Sequence, residues 1–563
     1  MADTINQKPC VVQKIETPQG FSVSYKDHLL YSKYNPSKNI ITAVENLQLL
    51  PGTIILCCSP VLSYGISELL NKLPENCFLI LCEAEKALYD FSIDEGIYNN
   101  SDKRVLVSRP EKINDLPLLI YDLACTGLYK RVIRIDMSAG IQFHKELYNN
   151  LFAASSDSVM TFWKNRITLT RFGRRYSKNL FENLHYLSKS KPITDFFNSI
   201  EKPIIVFGAG ESTQKLLNGL LSHFVPRNDE LQSFFILCAD TALQPLLKNG
   251  IKPDGVFVEE AQSVIVKAFT GTSKDVRIFV GLSSIPNLVH RAGAENLSYF
   301  FTEYAQGSFF DSLKAQSFMP PSNKPFGSVG LTAVYYALKF RKNEKIPVYV
   351  AGLDFSYRTG LTHTKSALAH ILRLIQANRL VPPHNYAAAY GLGAEKLTGK
   401  NGQPVITTPT LKSYAAMFRN FFASEKNLFD VSESGIDLGL QRINLDCHIA
   451  AAPRNDGKVH EIASNSHCKA DTIHHCKAEG RCNPHAKEID NFFQNERHAL
   501  EELRNLLTGH TDFKGEELMH KIESIAKPRE YLYLHFPDGF KFSLEQSFLN
   551  RIRTELDFFL KIL

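Results

Sequence analysis

Long hydrophobic runs are missing from this sequence of 563 residues. No apolar stretch reaches the roughly 18 residues that a membrane span needs, so we expect no membrane span. The first residues also lack a charged segment followed by an apolar one, which is the pattern of a secretory signal. Both absences predict a cytoplasmic protein.

A strong charge bias and a disulfide pattern are missing as well. The 64 basic and 58 acidic residues leave a net charge of only +6, which does not argue for a nucleic-acid partner. The 11 cysteines are odd in number, and several of them fall in predicted buried strands, where a free thiol packs as a small hydrophobe. We therefore expect no disulfide framework.

The usual zinc-ligand spacings are absent from the one segment that is rich in cysteine and histidine. This polar segment lacks hydrophobic periodicity and matches neither a C-x-x-C nor an H-x-x-x-H pattern, which favours a flexible insertion over a metal site. Whether it binds a metal stays open. Its candidate ligands are His460, His467, Cys468, His474, His475, Cys476, Cys482 and His485.

What is present is a succession of α/β patterns that divides the chain into five parts. We predict a β start followed by a degenerate Rossmann-like domain over 1–150, and a helical linker over 151–201. A central α/β domain spans 202–445, and the flexible insertion spans 446–486. A mainly helical C-terminal domain spans 487–563 and contains a strand-like stretch over 529–536.

The first α/β unit has the layout of a nucleotide-binding domain without its phosphate loop. Predicted strands over 52–58 and 77–82 are followed by Ser59 and by Glu83, and an acid at that second position often holds a ribose. The loop from Ser59 to Gly65, however, contains one glycine and a proline. We interpret this unit as structural rather than nucleotide-binding.

The central domain opens with a strand, a small-residue turn and a helix. The strand over 203–207 leads into Gly208-Ala209-Gly210-Glu211-Ser212, a layout that aims backbone N–H groups at a phosphate. The next two predicted strands end in Asp240-Thr241 and in Glu259. Polar groups at successive strand ends predict a ligand crevice at that edge of the sheet, although a Rossmann-like sheet without a nucleotide has the same layout.

Two later stretches bring further polar groups to the same edge. Gly327-Ser328 opens a helix, and a strand over 347–352 leads to Asp354. The loop that follows carries Tyr357 and His363, side chains that can bind a ligand or transfer a proton.

Taken in order, these motifs resemble the motility-associated factor (Maf) proteins, the bacterial flagellin glycosyltransferases. The same central domain also carries the label 6-hydroxymethylpterin pyrophosphokinase MptE-like. The resemblance covers roughly residues 20–445. It rests on the Gly208 turn, the stretch from Ala239 to Asp254, and the motifs over 327–332, 351–356, 360–363 and 428–437.

This resemblance implies an activity, a donor and an acceptor. The central domain of Maf proteins is similar to bacterial sialyltransferases, so the implied donor is a CMP-activated nonulosonic acid of the pseudaminic or legionaminic type. The implied acceptor is a Ser or Thr of flagellin. No tightly bound cofactor and no metal are required by this scheme.

The resemblance also suggests roles for the residues. The turn of Gly208, Gly210 and Ser212 would cradle the phosphate, although Glu211 stands where the family has proline and adds a negative charge there. The crevice would be lined further by Asp240, Thr241, Glu259, Gly327, Ser328 and Asp354. Tyr357 would donate a hydrogen bond to the leaving phosphate, and His363 would act as the general base, with His370 and His384 as alternatives.

Two other functions remain open at this point. A diphosphotransferase that uses ATP would need Mg²⁺ and a pair of carboxylates, which Asp240, Glu259 and Asp354 could supply. A protein that binds flagellin without catalysis would need neither.

Overall fold

The computed structural model describes residues 11–98, 102–222, 233–359, 361–381, 393–444 and 484–563, with the side chains of 218–222 left aside. The chain forms two compact units. The first comprises Met1–Gly173 with Tyr533–Ser543, and the second comprises Arg174–Leu532 with Leu544–Leu563. The mixed α/β class that the sequence predicts is confirmed. The Cys/His-rich residues up to 483 lie outside the described residues.

The first unit contains two sheets. An antiparallel sheet of three strands comes first, and a parallel sheet of four strands follows in the order β6-β5-β4-β7. The strands are β1 Gln13–Thr17, β2 Gly20–Tyr25, β3 His28–Leu29, β4 Thr53–Cys58, β5 Phe78–Cys82, β6 Val105–Ser108 and β7 Arg131–Asp136. The helices are α1 Lys38–Asn46, α2 Ile66–Lys72, α3 Lys86–Asp94 and α4 Leu116–Cys125.

The carboxyl edge of the parallel sheet is filled by the protein's own side chains. The Ser59 hydroxyl donates to the buried Glu83 carboxylate at 2.7 Å and lies 2.9 Å from the Ser138 hydroxyl. A Cβ atom on Gly140 would come within 2.3 Å of the same Ser59 oxygen. The structural, non-nucleotide role that we assign to this unit stays a prediction.

One long helix, α5 (Lys145–Leu187), covers most of the predicted helical segment 151–201; it begins in the first unit and ends in the second. Within the second unit its Asn179 and Asn183 amides are tied to backbone carbonyls. Asn183 donates to Leu282 at 2.9 Å and to Ser284 at 2.8 Å. These bonds satisfy buried polar groups and fix the helix on the central domain.

The second unit is built on a parallel sheet of nine strands in the order β13-β12-β11-β10-β9-β8-β14-β17-β18. The strands are β8 Ile204–Phe207, β9 Phe235–Ala239, β10 Gly255–Val258, β11 Ile278–Gly281, β12 Leu297–Thr302, β13 Ser322–Asn323, β14 Val348–Ala351, β17 Leu428–Asp430 and β18 Gln441–Arg442. β15 Glu395–Thr398 and β16 Pro404–Thr407 form a separate antiparallel hairpin. Strands β8, β10 and β14 are buried along their length, as expected for a sheet covered on both faces.

The strand order reverses between β8 and β14. From β8 the chain adds β9 to β13 on one side, and it returns to place β14 and β17 on the other. Such a switch point opens a crevice at the carboxyl ends of the two strands, and ligands of open α/β sheets bind there. The two strands at this point are the ones that precede Gly208 and Gly352.

Helices cover the sheet and complete the second unit. They are α6 Glu211–Ser222, α7 Asp240–Lys248, α8 Val289–Ala292, α9 Ser308–Ala315, α10 Val329–Phe340, α11 Leu368–Gln376, α12 Pro409–Phe422, α13 Ala486–Thr508, α14 Gly515–Ala526 and α15 Gln546–Phe559. Helix α10 contributes much of the core, packing Leu331, Val334 and Phe340 against the sheet. Among the described helices, none is long and apolar enough to cross a membrane.

The prediction of a strand over 529–536 is wrong. The stretch instead begins with a short 3-10 helix, Glu530–Leu532. Tyr531 is buried with its ring 4.9 Å from those of Phe181 and Phe559, and its hydroxyl donates to Glu496 at 2.6 Å. The apolar residues of this stretch are therefore buried by packing of side chains among helices rather than by pairing in a sheet.

Candidate functional site

The turn after β8 lies directly against the loop after β14. The Gly208 N–H donates to the Ala351 carbonyl oxygen at 2.7 Å, and the Gly210 N–H donates to the Gly352 carbonyl oxygen at 2.9 Å. A Cβ atom on Gly208 would lie 2.5 Å from the Gly352 oxygen, and one on Gly210 would lie 2.5 Å from the Asp354 carboxyl group. Both glycines are thus required for the close approach of the two strand ends.

Ser212 and Asp354 join the two sides of the switch point. The Ser212 N–H donates to Asp354 Oδ2 at 2.9 Å, and its hydroxyl donates to Oδ1. Burial raises the pKa of Asp354 to about 6, against the opposing effect of these hydrogen bonds.

This geometry differs from the phosphate cradle that the sequence suggests. The N–H groups of Gly208, Gly210 and Ser212 already donate to Ala351, Gly352 and Asp354, and that of Thr213 donates to Gly210 at 3.2 Å. The anion at the start of α6 is therefore an internal carboxylate. The role of the turn in holding a donor phosphate stays a prediction.

A buried ion pair supports Asp354 from the β17 side. Lys400 Nζ donates to Asp430, and both side chains are only 2% exposed. The Asp430 carboxylate also accepts from the Ser432 N–H at 2.8 Å, and the Ser432 hydroxyl accepts from the Gly352 N–H at 2.9 Å. The nearby Lys400 charge lowers the pKa of Asp354, although burial has the larger effect. Sequence reasoning misses this pair; its one signal is a lysine between the glycines of the hairpin turn at 399–402.

A cavity of about 240 Å³ opens beside Asp354. The loop after β14 forms one wall and the β15–β16 hairpin another. The Tyr357 N–H donates to Ile406 at 2.8 Å, which fixes the two walls to each other. The lining residues are Glu211, Lys215, Asp354, Ser356, Tyr357, Arg358, Asn401, Gln403, Pro404, Val405, Ser434 and Gly435.

Glu211 is paired with a cation in this cavity. The Arg358 Nε–H donates to Glu211 Oε2 at 2.6 Å, and Arg358 Nη2 contacts Oε1. The Glu211 side chain is 8% exposed, whereas that of Arg358 is 58% exposed. The negative charge that Glu211 adds at the turn is therefore balanced locally. Sequence reasoning notes the glutamate but not its partner, which directly follows Tyr357.

Tyr357 is the second predicted residue that lines the cavity. Its side chain is largely buried, and burial raises the pKa of the phenol, so the hydroxyl stays protonated and can donate a hydrogen bond at neutral pH. The structure thus brings Asp354 and Tyr357 together, with Gly210 and Ser212 immediately behind Asp354.

His363 lies on the loop that closes over the turn but is not among the lining residues. The loop is fixed where the Thr364 N–H donates to Ala209 at 2.9 Å. His363 Nδ1 is 3.2 Å from the Thr362 hydroxyl, which also accepts from Arg373. Burial, then Arg373 and His370, lower the pKa of His363, so its imidazole is neutral at pH 7. The alternative His384 lies outside the described residues.

Asp240, Thr241 and Glu259 form a second polar group further along the sheet edge. Glu259 accepts from the Thr302 and Thr332 hydroxyls, the latter at 2.9 Å, and burial raises its pKa. Burial also raises the pKa of Asp240 to about 7, and its carboxylate accepts from the Thr241 N–H. None of these three residues lines the cavity of Asp354. Within the described part of the chain, no group of three or more His, Cys, Asp or Glu side chains is arranged to hold a metal ion.

Gly327 and Ser328 lie at the start of α10. Gly327 has a φ of +71°, and a Cβ atom there would come within 2.6 Å of the Tyr414 ring. Three residues on, a Cβ atom on Gly330 would lie 2.3 Å from Leu353, whose side chain also faces Gly208. Neither of the two predicted residues, Gly327 and Ser328, is among the lining residues of the cavity.

The fold and this site define an α/β protein with a polar crevice at the switch point of a parallel sheet. The family model described as "6-hydroxymethylpterin diphosphokinase MptE-like" matches residues 177–360. A protein of Treponema pallidum (strain Nichols), described as uncharacterized, is 30% identical over 575 residues, which cover 98% of this chain and 94% of the relative.

A solved structure has the same fold. The MAf glycosyltransferase from Magnetospirillum magneticum AMB-1 matches with a TM-score of 0.51 at 12% identity, over 99% of this chain and 91% of that one. Residues 177–360 thus match the MptE-like family, and the fold of the chain is that of the MAf glycosyltransferase, as the sequence motifs predict.

Proposed function

We propose that this protein is a glycosyltransferase that moves a nonulosonic acid, of the pseudaminic or legionaminic type, from a CMP-activated donor to a Ser or Thr hydroxyl of flagellin. The observation that carries the proposal is the cavity of about 240 Å³ at the β8–β14 switch point, where Asp354 and Tyr357 meet. The shared fold with a MAf glycosyltransferase supports the type of reaction.

Transfer of such a sugar requires that the leaving phosphate be stabilised and that the acceptor hydroxyl lose its proton. Tyr357 donates its phenolic hydrogen to the leaving phosphate, since its raised pKa keeps it protonated. His363 accepts the acceptor's proton, since its lowered pKa keeps it neutral. Ser328 adds a contact to the anion, while Asp240, Thr241 and Glu259 contact the nucleoside or the sugar hydroxyls.

The test is the intact mass of flagellin from cells that carry the wild-type gene, a gene deletion, or a His363→Ala variant. We expect the mass added by glycosylation to be lost in the deletion and in the variant. His290→Ala, an exposed histidine of the same unit, serves as the matched control and should leave the mass unchanged. Flagellin of unchanged mass in the deletion strain, together with failed filament assembly, would replace transfer by a binding function.

A diphosphotransferase activity is the second candidate, and the name of the matching family model favours it. Asp240, Glu259 and Asp354 supply its carboxylates, although their hydrogen bonds go to three separate sets of partners. The thermal shift produced by CMP or CDP should be compared with that of ATP–Mg²⁺. A larger shift with ATP–Mg²⁺ would favour phosphoryl transfer over sugar transfer.

A further inference from the structure

The anion-binding groups of this cavity are not the backbone donors that the turn motif suggests. The N–H groups of Gly208, Gly210 and Ser212 already donate hydrogen bonds to the end of β14 and to the loop that follows it. These three N–H groups are therefore not left for an anionic ligand, whereas the cavity lining offers cationic side chains. The cations among its lining residues are Lys215 and Arg358, while Lys400 is buried against Asp430.

Of these two cations, Arg358 has the geometry for phosphate. Two of its nitrogens, Nε and Nη2, face the two oxygens of the Glu211 carboxylate, and the same planar fork matches two oxygens of a phosphate. Lys215 Nζ lies 3.9 Å from Glu433 Oε2. Both of these side chains are well exposed, so their ion pair is weak.

Glu211 occupies the place of an anionic ligand. It is the first residue of α6, so its carboxylate lies where the partial positive charge of the helix N-terminus favours an anion. It is nearly buried, whereas more than half of the Arg358 side chain is exposed. The carboxylate thus holds the guanidinium at the cavity until a ligand with a similar pair of oxygens arrives.

We propose that Arg358 binds the phosphate of the nucleotide donor by exchanging the Glu211 carboxylate for it. Glu211 is then an internal competitor that sets the affinity for the donor, and its negative charge does not abolish binding. This inference rests on the proposed function for the identity of the donor, but the exchange itself requires only a phosphate.

The test is calorimetric titration of the full-length protein with CMP and with cytidine, which lacks the phosphate. Arg358→Gln should weaken CMP binding by about tenfold to a hundredfold, the range for a charged hydrogen bond, and leave cytidine binding unchanged. Glu211→Gln should tighten CMP binding several-fold because the competitor is removed. Arg358→Lys, which keeps the charge but not the fork, should fall between Arg358→Gln and the wild type.

Arg104 offers a matched control. Its Nε and Nη2 also bind one carboxylate, that of Asp102, and its side chain is 44% exposed. Arg104→Gln should leave both titrations unchanged, and melting temperatures should confirm that every variant is folded.

Three results would overturn the exchange. The first is an unchanged CMP affinity in Arg358→Gln. The second is a loss of cytidine affinity in Arg358→Gln as large as the loss of CMP affinity. The third is weaker CMP binding in Glu211→Gln. Inorganic pyrophosphate separates this inference from the proposed function. If the wild-type protein does not bind CMP but binds pyrophosphate, and Arg358→Gln weakens that binding, the proposed class of donor is wrong and the exchange is supported. If it binds neither, the exchange is wrong, whatever the flagellin mass shows.

Discussion

Ser212 and Asp354 stand 142 positions apart in the sequence, yet two hydrogen bonds join them at the switch point of the sheet. The pair connects the start of α6 with the loop after β14, so it fixes one wall of the cavity. Because Asp354 takes both donors of Ser212, neither donor is left for an anionic ligand, and we propose that Arg358 of the same loop binds it.

Substitution of Gly210 tests this arrangement. The methyl group of Gly210→Ala would lie 2.5 Å from the Asp354 carboxyl group and 2.6 Å from the Gly352 oxygen. We expect a loss of about 1–3 kcal/mol in the free energy of unfolding, as for overpacked sites, together with weaker CMP binding. Urea denaturation and calorimetric titration measure the two effects.

Gly250 provides the control for this substitution. It has a φ of +74° and open space around its Cβ position, so Gly250→Ala strains the backbone without a clash. We expect about 1–2 kcal/mol of destabilisation from the left-handed conformation and unchanged CMP binding. Equal CMP affinities in the two alanine variants would show that the close approach at Gly210 does not shape the site.

The pH dependence of stability should reveal the buried Asp240. Its pKa rises from 3.8 to about 7 on folding, so the folded state holds the proton more tightly than the unfolded state does. The associated stability is present below pH 4 and is lost as the pH rises through 7. Asp240→Asn keeps an acceptor for the Thr241 N–H but carries no charge. The variant should therefore gain about 1–3 kcal/mol over the wild type at pH 8, and clearly less at pH 5.

Asp275 gives the comparison for this effect. It is exposed and paired with Lys252, which lowers its pKa to about 2. The stability difference between Asp275→Asn and the wild type should be the same at pH 5 and at pH 8. A stability difference for Asp240→Asn that is likewise independent of pH would contradict the raised pKa.

The sequence predicts the parts of this site better than their contacts. Apolar runs such as those of β8 and β14 identify buried strands, and the residues that follow them are correctly expected at one edge of the sheet. Local sequence patterns, however, carry no information about contacts between residues that are distant in the sequence. The pairing of Ser212 with Asp354 and that of Lys400 with Asp430 are of this kind. They decide which polar groups remain available to a ligand, so Arg358 is not recognised from the sequence.

The buried ion pair of Lys400 and Asp430 should be sensitive to loss of one partner. Lys400→Met leaves the Asp430 carboxylate buried without its cation, which typically costs about 3–5 kcal/mol. The double variant Lys400→Met/Asp430→Leu removes both charges and should recover much of that loss. Lys342→Met, at an exposed pair with Glu201, is the control and should change the urea midpoint little. A double variant less stable than Lys400→Met would mean that the pair itself, rather than the stranded charge, stabilises the fold.

The role of general base that we propose for His363 predicts a change in the pH profile of sugar transfer. Arg373 lies near His363 and lowers the pKa of its imidazole, second only to burial. Removal of this charge in Arg373→Gln raises that pKa, so the base becomes protonated at a higher pH. The acid limb of the rate of sugar transfer should therefore shift to higher pH in the variant, while the rate at pH 9 changes much less. Arg291→Gln, at an exposed position of the same unit, is the control and should leave the limb in place. A limb that stays unchanged in Arg373→Gln would assign it to another group, for which Asp354, with its pKa of about 6, is the first candidate.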